Sequence, residues 1–169
     1  MMLRLLAAVS MVALLSGCAT RLDRAEIRTV SSPTTQRLAC PLRLETVVDA
    51  RPTQEAGILG HYAFRFANVT ASITEALQVL GWSTAPEALP VTVSIQKLYL
   101  GAQNDTRMGV AAFSVQAEGK PAFVVRGQAA AMNWSASQAS ANGILTEAVG
   151  NARSELAGAL NSTCAISAK

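Results

Sequence analysis

Apolar positions fall into short alternating runs and two helical stripes from about residue 40 onward. Leu42, Leu44, Thr46 and Val48 alternate with Arg43, Glu45, Val47 and Asp49, the period of a half-buried strand. Asp49-Ala50-Arg51-Pro52 closes that run, because proline cannot continue a ladder. A loop with Gly57 and Gly60 follows, then Tyr62, Phe64 and Phe66 at period two predict a short strand. Asn68 precedes Val69, Ile73, Ala76, Leu77 and Leu80, which share one helical stripe, and Gly81 suits a left-handed stop. Val91, Val93 and Ile95 begin a strand running to about residue 100. Its phase slips near Lys97, where Leu98 and Leu100 take the other parity; a bulge or a two-sided strand end accounts for the slip.

Residues 101–107 read as a turn, and Phe113, Val115 and Ala117 mark the next strand. Glu118-Gly119-Lys120-Pro121 is a tight connection, followed by a long alanine-rich strand over residues 123–134. Gly127 with Ala129-Ala130-Ala131 allows the last helix to approach that strand closely. Asn142 is the expected cap of this helix, with Leu145, Ala148, Val149, Ala152, Leu156 and Leu160 on one stripe and Asn161 at its end. The order strand, helix, three-strand meander, helix predicts an α+β two-layer sandwich. Its mixed sheet has about four strands, with two helices on one face.

The N-terminus follows a different pattern. A short positive start precedes residues 5–15, which are apolar except Ser10. Eleven helical residues span about 16 Å, well short of the roughly 30 Å core of a bilayer, so the segment reads as a secretory signal. Leu15-Ser16-Gly17-Cys18 resembles the lipobox of bacterial lipoproteins. That resemblance implies cleavage before Cys18, a thioether-linked diacylglycerol on its sulfur and an acyl group on its new amine. Ala19, where an aspartate would favour inner-membrane retention, implies sorting to the outer membrane. The expected organisation is a signal peptide over 1–17, a lipidated N-terminus and flexible tether over 18–39, and the domain over 40–169.

Several features together resemble the YajG-like family of bacterial lipoproteins over roughly residues 42–160. They are the lipobox, Asp49-Ala50-Arg51, Leu80-Gly81-Trp82, the run Val91-Thr92-Val93-Ser94-Ile95-Gln96-Lys97-Leu98-Tyr99 and the final alanine-rich helix. The resemblance implies an envelope lipoprotein without a known activity; Cys40 and Cys164 stand outside the family's pattern. Auxiliary lipoproteins of envelope transport machines share a similar layout at the level of fold.

Composition narrows the function further. Half the residues are hydrophobic and 15% charged, which excludes disorder of the whole chain. A net charge of +3, with basic residues scattered, does not describe a nucleic-acid binder. One histidine, His61, leaves no His-rich metal cage, and neither HExxH, a P-loop nor GxSxG occurs. The carboxylates are isolated in sequence. No enzyme activity, cofactor or metal is expected.

Cys40 and Cys164 bracket the domain as an even pair once Cys18 is lipidated; a disulfide, buried free thiols, or a redox or metal role fit them. Asp49 and Arg51 fit either an ion pair or recognition of a ligand carboxylate. Tyr62, Phe64 and Phe66 fit either an exposed partner surface or inward packing against a helix. The expected function is a non-catalytic interaction or accessory module, lipid-anchored at the periplasmic face of the outer membrane. Its partners would be the membrane, through the acyl chains, and an envelope protein complex. The alternative is a periplasmic small-ligand or lipid-binding protein with a pocket between sheet and helices.

Overall fold

The computed structural model describes residues 21–25, 36–59, 62–66, 68–103, 105–132 and 137–167. Among these, seven strands and two helices follow one another: β1 Arg21–Ala25, β2 Leu42–Asp49, β3 Glu55–Leu59, β4 Tyr62–Phe66, α1 Val69–Gln78, β5 Leu89–Gln103, β6 Thr106–Ala117, β7 Phe123–Met132 and α2 Gln138–Ser167. All seven strands join one mixed sheet. β2 and β3 both run parallel to β5, β2 from Leu42 opposite Leu89 to Asp49 opposite Ile95, and β3 with Gly57 opposite Leu100. They occupy the same flank of β5 in turn, so the sheet is six positions wide, in the order β1, β4, β2 with β3, β5, β6, β7.

The α+β class and the mixed sheet stand as read from sequence; the strand count of about four was too low. β3 was expected as loop. Its run Glu55-Ala56-Gly57-Ile58-Leu59 has a glycine at its centre and too few residues for alternation to register. Gly57 sits at φ 106°, and a Cβ there would collide with the Leu100 carbonyl, so only glycine allows the approach to β5. β1 lies within the stretch read as flexible tether. It pairs in parallel with β4, Arg21 opposite Tyr62 and Ala25 opposite Phe66. A ladder of backbone hydrogen bonds needs no apolar pattern, which is why Arg21-Leu22-Asp23-Arg24-Ala25 gave no signal.

The phase slip near Lys97 is a bulge: pairing of β5 with β6 shifts between Ile95 and Lys97. It keeps Leu98 and Leu100 on the same face as Val91, Val93 and Ile95, all five buried. On that inner face, successive cross-strand rows taper from large to small. Ile95, Phe113 and Val125 form one row, Leu98, Ala111 and Gly127 the next, and Leu100, Gly109 and Ala129 the third. The taper receives α2. A Cβ on Gly127 would collide with the Ala148 carbonyl and the Ala152 amide, so this helix rests on the backbone of the sheet. Side chains of α2 also cover the free edge of β7: Glu155 accepts the Arg126 amide at 2.8 Å, and the Asn151 amide donates to the Gln128 carbonyl at 2.7 Å. Blocking an edge in this way removes a template for pairing with another chain.

α1 begins after Asn68 as expected, but the Asn68 side chain makes no capping bond. Gly81 stops the segment at φ 74°. α1 joins the same core through Val69, Ile73, Ala76 and Leu77, and the buried Arg153 of α2 donates to the Ala76 carbonyl at 3.2 Å. α2 departs from expectation at both ends. Its cap is Ser137, whose carbonyl accepts the Ala141 amide and whose hydroxyl accepts the Ser140 amide; Asn142 is buried one turn inside. At the other end Asn161 continues the helix and straps the chain before β2, accepting the Ala39 amide at 2.7 Å and donating to the Arg37 carbonyl at 3.0 Å. The folded unit therefore includes residues ahead of Cys40. Although α2 has 30 residues, no helix among the described residues is long and apolar enough to cross a membrane.

Candidate functional site

Cys18 and His61 lie outside the described residues. Cys40 and Cys164 form a disulfide, with their Cα atoms 6.0 Å apart, a spacing typical of such bonds. The bond ties the segment entering β2 to the last turns of α2, at the end of the sheet where β5 begins. A cleft of about 250 Å³, bordered by Leu42, Leu89 and Leu160, opens beside it.

Phe64 and Phe66 are core residues, not an exposed surface: Phe64 is 0% and Phe66 7% exposed. Phe64 stands opposite Gly57, and the inward phase of β4 carries both rings into the common core. The side chain of Tyr62 lies outside the described residues. Asp49 and Arg51 pair with each other. The Arg51 Nε and Nη2 donate to the two carboxylate oxygens at 2.8 and 2.9 Å, and the Arg51 amide adds a bond at 3.3 Å. The hydrogen bonds from the Arg51 side chain hold the Asp49 carboxyl below its ordinary range, against a partial desolvation that would raise it. The Arg51 side chain is 4% exposed and its guanidinium lies 5.1 Å from the centre of the Phe66 ring. This fork–fork pair neutralises both charges, which favours its role as a clamp over β2 and β4 rather than a trap for a ligand carboxylate.

The outer face of the sheet is different. The bulge that turns Leu98 and Leu100 inward also turns Lys97 and Tyr99 outward. Lys97, Ala112 and Arg126 then form one row across β5, β6 and β7, and Tyr99, Val110 and Gln128 form the next. Strands lie about 4.8 Å apart, so the two cations stand roughly 10 Å from one another across a residue of minimal size. Ala112 and Val110 make a buried floor; Lys97, Tyr99, Val124 and Arg126 stand exposed around it. The result is an open furrow of about 600 Å³. Among the described residues, Lys97 and Arg126 are its only charged lining residues, and neither side chain is paired with a carboxylate there. Arg126 uses only its backbone amide in the bond to Glu155. This furrow was not singled out from sequence. The signal for it was the phase slip itself, since counting past the bulge places Lys97 in register with the small, polar-alternating positions of β6 and β7.

The pocket expected between sheet and helices has no room where α2 crosses Gly127 and Gly109, because the helix backbone and Ile144 fill that space. The furrow lies on the opposite face of the sheet, and the smaller cleft beside the disulfide lies between the sheet and the end of α2.

No family model matches the chain, and no curated protein matches it. Among solved structures, it is similar to the crystal structure of protein XCC0632 from Xanthomonas campestris, of the DUF330 family. The TM-score is 0.55 at 10% sequence identity, covering 87% of this chain and 98% of that one. The likeness is one of fold.

Proposed function

We propose that the chain is a non-catalytic, lipid-anchored accessory module at the periplasmic face of the outer membrane, of the YajG-like kind. The observation that carries the reading is the short distance between Cys18 and β1. The strand begins at Arg21, three residues after the lipobox cysteine. Three residues of extended chain reach about 10 Å. An acylated Cys18 therefore holds the sheet against the bilayer instead of on a long arm. Two or three acyl chains make such an anchor effectively permanent, since each buried CH₂ contributes about 0.8 kcal/mol.

The anchor also orients the domain. Arg21 pairs with Tyr62, which lies beside Leu59, and β3 runs parallel to β5 toward the β5–β6 hairpin. That hairpin, with Gln103 opposite Thr106, and the end of β7 at Met132 therefore share the membrane-proximal end. The disulfide closes the distal end, in the oxidising compartment this reading assigns to the domain. The fold shared with a DUF330 protein supports the architecture, and the lipobox supports the compartment.

Metabolic labelling with a radioactive fatty acid, followed by envelope fractionation, tests the anchor. The native chain is expected to carry label and to fractionate with the outer membrane, and Cys18→Ser is expected to lose both. Label on neither chain would overturn the reading. Crosslinking in intact cells tests the accessory role: a reproducible protein partner is expected, and adducts to lipid alone would contradict it.

A further inference from the structure

We infer that the furrow on the outer face of the sheet is a binding site for one anionic phospholipid, with its phosphodiester between Lys97 and Arg126 and its acyl portion along Tyr99, Val110 and Met108. The inference rests on the envelope reading for the supply of lipid and, through the anchor at Cys18, for which end of the sheet faces the membrane. Its own basis is the order of rows along β5, β6 and β7. From the distal end they run Ser94–Ser114–Val124, then Lys97–Ala112–Arg126, then Tyr99–Val110–Gln128, then Gly101–Met108–Ala130, and finally Gln103–Thr106–Met132. Charge occupies a single row, and the rows between it and the membrane-proximal end are uncharged and mostly apolar.

An amphiphile matches that order in one direction, with its head at the cations and its tail toward the membrane. Met132 lies six positions beyond Arg126 along β7, about 20 Å at strand rise. Met132, at the mouth of this path, is 78% exposed, the most exposed of the large apolar side chains on the described surface. Ala112 leaves a notch between the two long cationic side chains, so both can reach one phosphodiester from opposite sides. Val110 supplies a buried apolar floor one row below.

A second copy of this chain laid face to face would set Lys97 and Arg126 against their own counterparts, and like charges at close range oppose that pairing. An acidic protein segment would satisfy the cations. It would leave the apolar rows below them without a matching tail, so the lipid is the better fit.

The test uses the full chain in a non-ionic detergent, with phosphatidylglycerol bearing a photoactivatable group on its acyl chain. Phosphatidylcholine with the same chains serves as the control. Photoadducts are expected on β5, β6 and β7 within 97–132, at least about tenfold more abundant with the anionic probe. The pair Lys97→Glu and Arg126→Glu is expected to remove that excess while the circular dichroism spectrum and urea midpoint stay unchanged. If the reversed charges prevent folding, Lys97→Gln with Arg126→Gln is read in the same way.

Adducts elsewhere on the chain, equal labelling by the two probes, or labelling indifferent to both double variants would overturn the inference. Displacement of the probe by an acidic peptide but not by unlabelled phosphatidylglycerol would overturn it in favour of a protein partner. The mass of the N-terminal peptide from the same sample reports acylation of Cys18. The anchor and the furrow can therefore fail independently.

Discussion

The two faces of this sheet are built from the same three strands and do opposite things. On the inner face, rows taper from Ile95, Phe113 and Val125 to Leu100, Gly109 and Ala129, and α2 settles onto the glycines. On the outer face, the small residue is Ala112, and its neighbours are Lys97 and Arg126 rather than more apolar side chains. Small residues at the end of a taper let a helix approach in the first case, and a small residue between two long ones leaves a notch in the second. The bulge beside Lys97 sets which residues go where. Were β5 to alternate regularly through Gln96, Lys97 and Tyr99 would point into the helix layer, and Leu98 and Leu100 would face solvent.

The comparison is sharpest where substitutions of similar size have unequal consequences. The largest effect belongs to the bond fastening α2 to the entry of β2. It closes a loop of 124 residues, for which the chain-entropy relation gives roughly 4–5 kcal/mol. Cys40→Ser with Cys164→Ser should lower the urea midpoint by the corresponding amount. Phe64→Ala, in the inner core, should cost about 4 kcal/mol by cavity formation in the same assay. A near-neutral result would return Phe64 to the surface.

Gly127→Ala should cost about 3 kcal/mol, because the added methyl meets helix backbone that has no rotamer to change. On the outer face, Lys97→Gln and Arg126→Gln should each change stability by no more than about 0.5 kcal/mol. A loss of several kcal/mol there would mean that the two faces are not different in kind.

The smallest effect depends on pH. The Arg51 hydrogen bonds lower the Asp49 pKa from its ordinary 3.8, so the folded state binds this proton less readily than the unfolded chain. The stability from the pair is present above the unfolded value and is lost as pH falls through the folded one. Asp49→Asn should therefore be less stable than the native chain at pH 7, and the difference should shrink below about pH 4. A difference that stayed constant with pH would show that the clamp works by packing over Phe66 and not by charge.

How legible these features were depends on what each element leaves in the sequence. Strands with one buried face announce themselves by alternation, and β2, β4 and β5 were read in nearly the right places, whereas β6 begins at Thr106, inside the stretch over 101–107 expected as a turn. The bulge was visible as a change of parity at Leu98. β1 and β3 left no such mark: one is held by backbone pairing along an edge, and the other is centred on a glycine selected by contact with Leu100. Asn142 looked like a cap because it precedes an apolar stripe, yet Ser137 begins the helix one turn earlier.

The aromatic run at Phe64 and Phe66 showed its period but not its side. Period two fixes which residues share a face, while the choice of face depends on where α1 and α2 pack. For the same reason the furrow was hidden. Its six central residues are scattered over 97–128, and only the register of three strands assembles them.

The central claim is that this sheet uses one face to fold and keeps the other for an anionic lipid. The most direct measurement is the phospholipid content of the purified full chain, compared with that of the Lys97→Glu, Arg126→Glu variant and read alongside the urea midpoint of each. The account predicts anionic phospholipid on the native chain, a fall of at least about tenfold in the variant, and equal midpoints. Unchanged lipid content, or a fall that comes with lost stability, would contradict it.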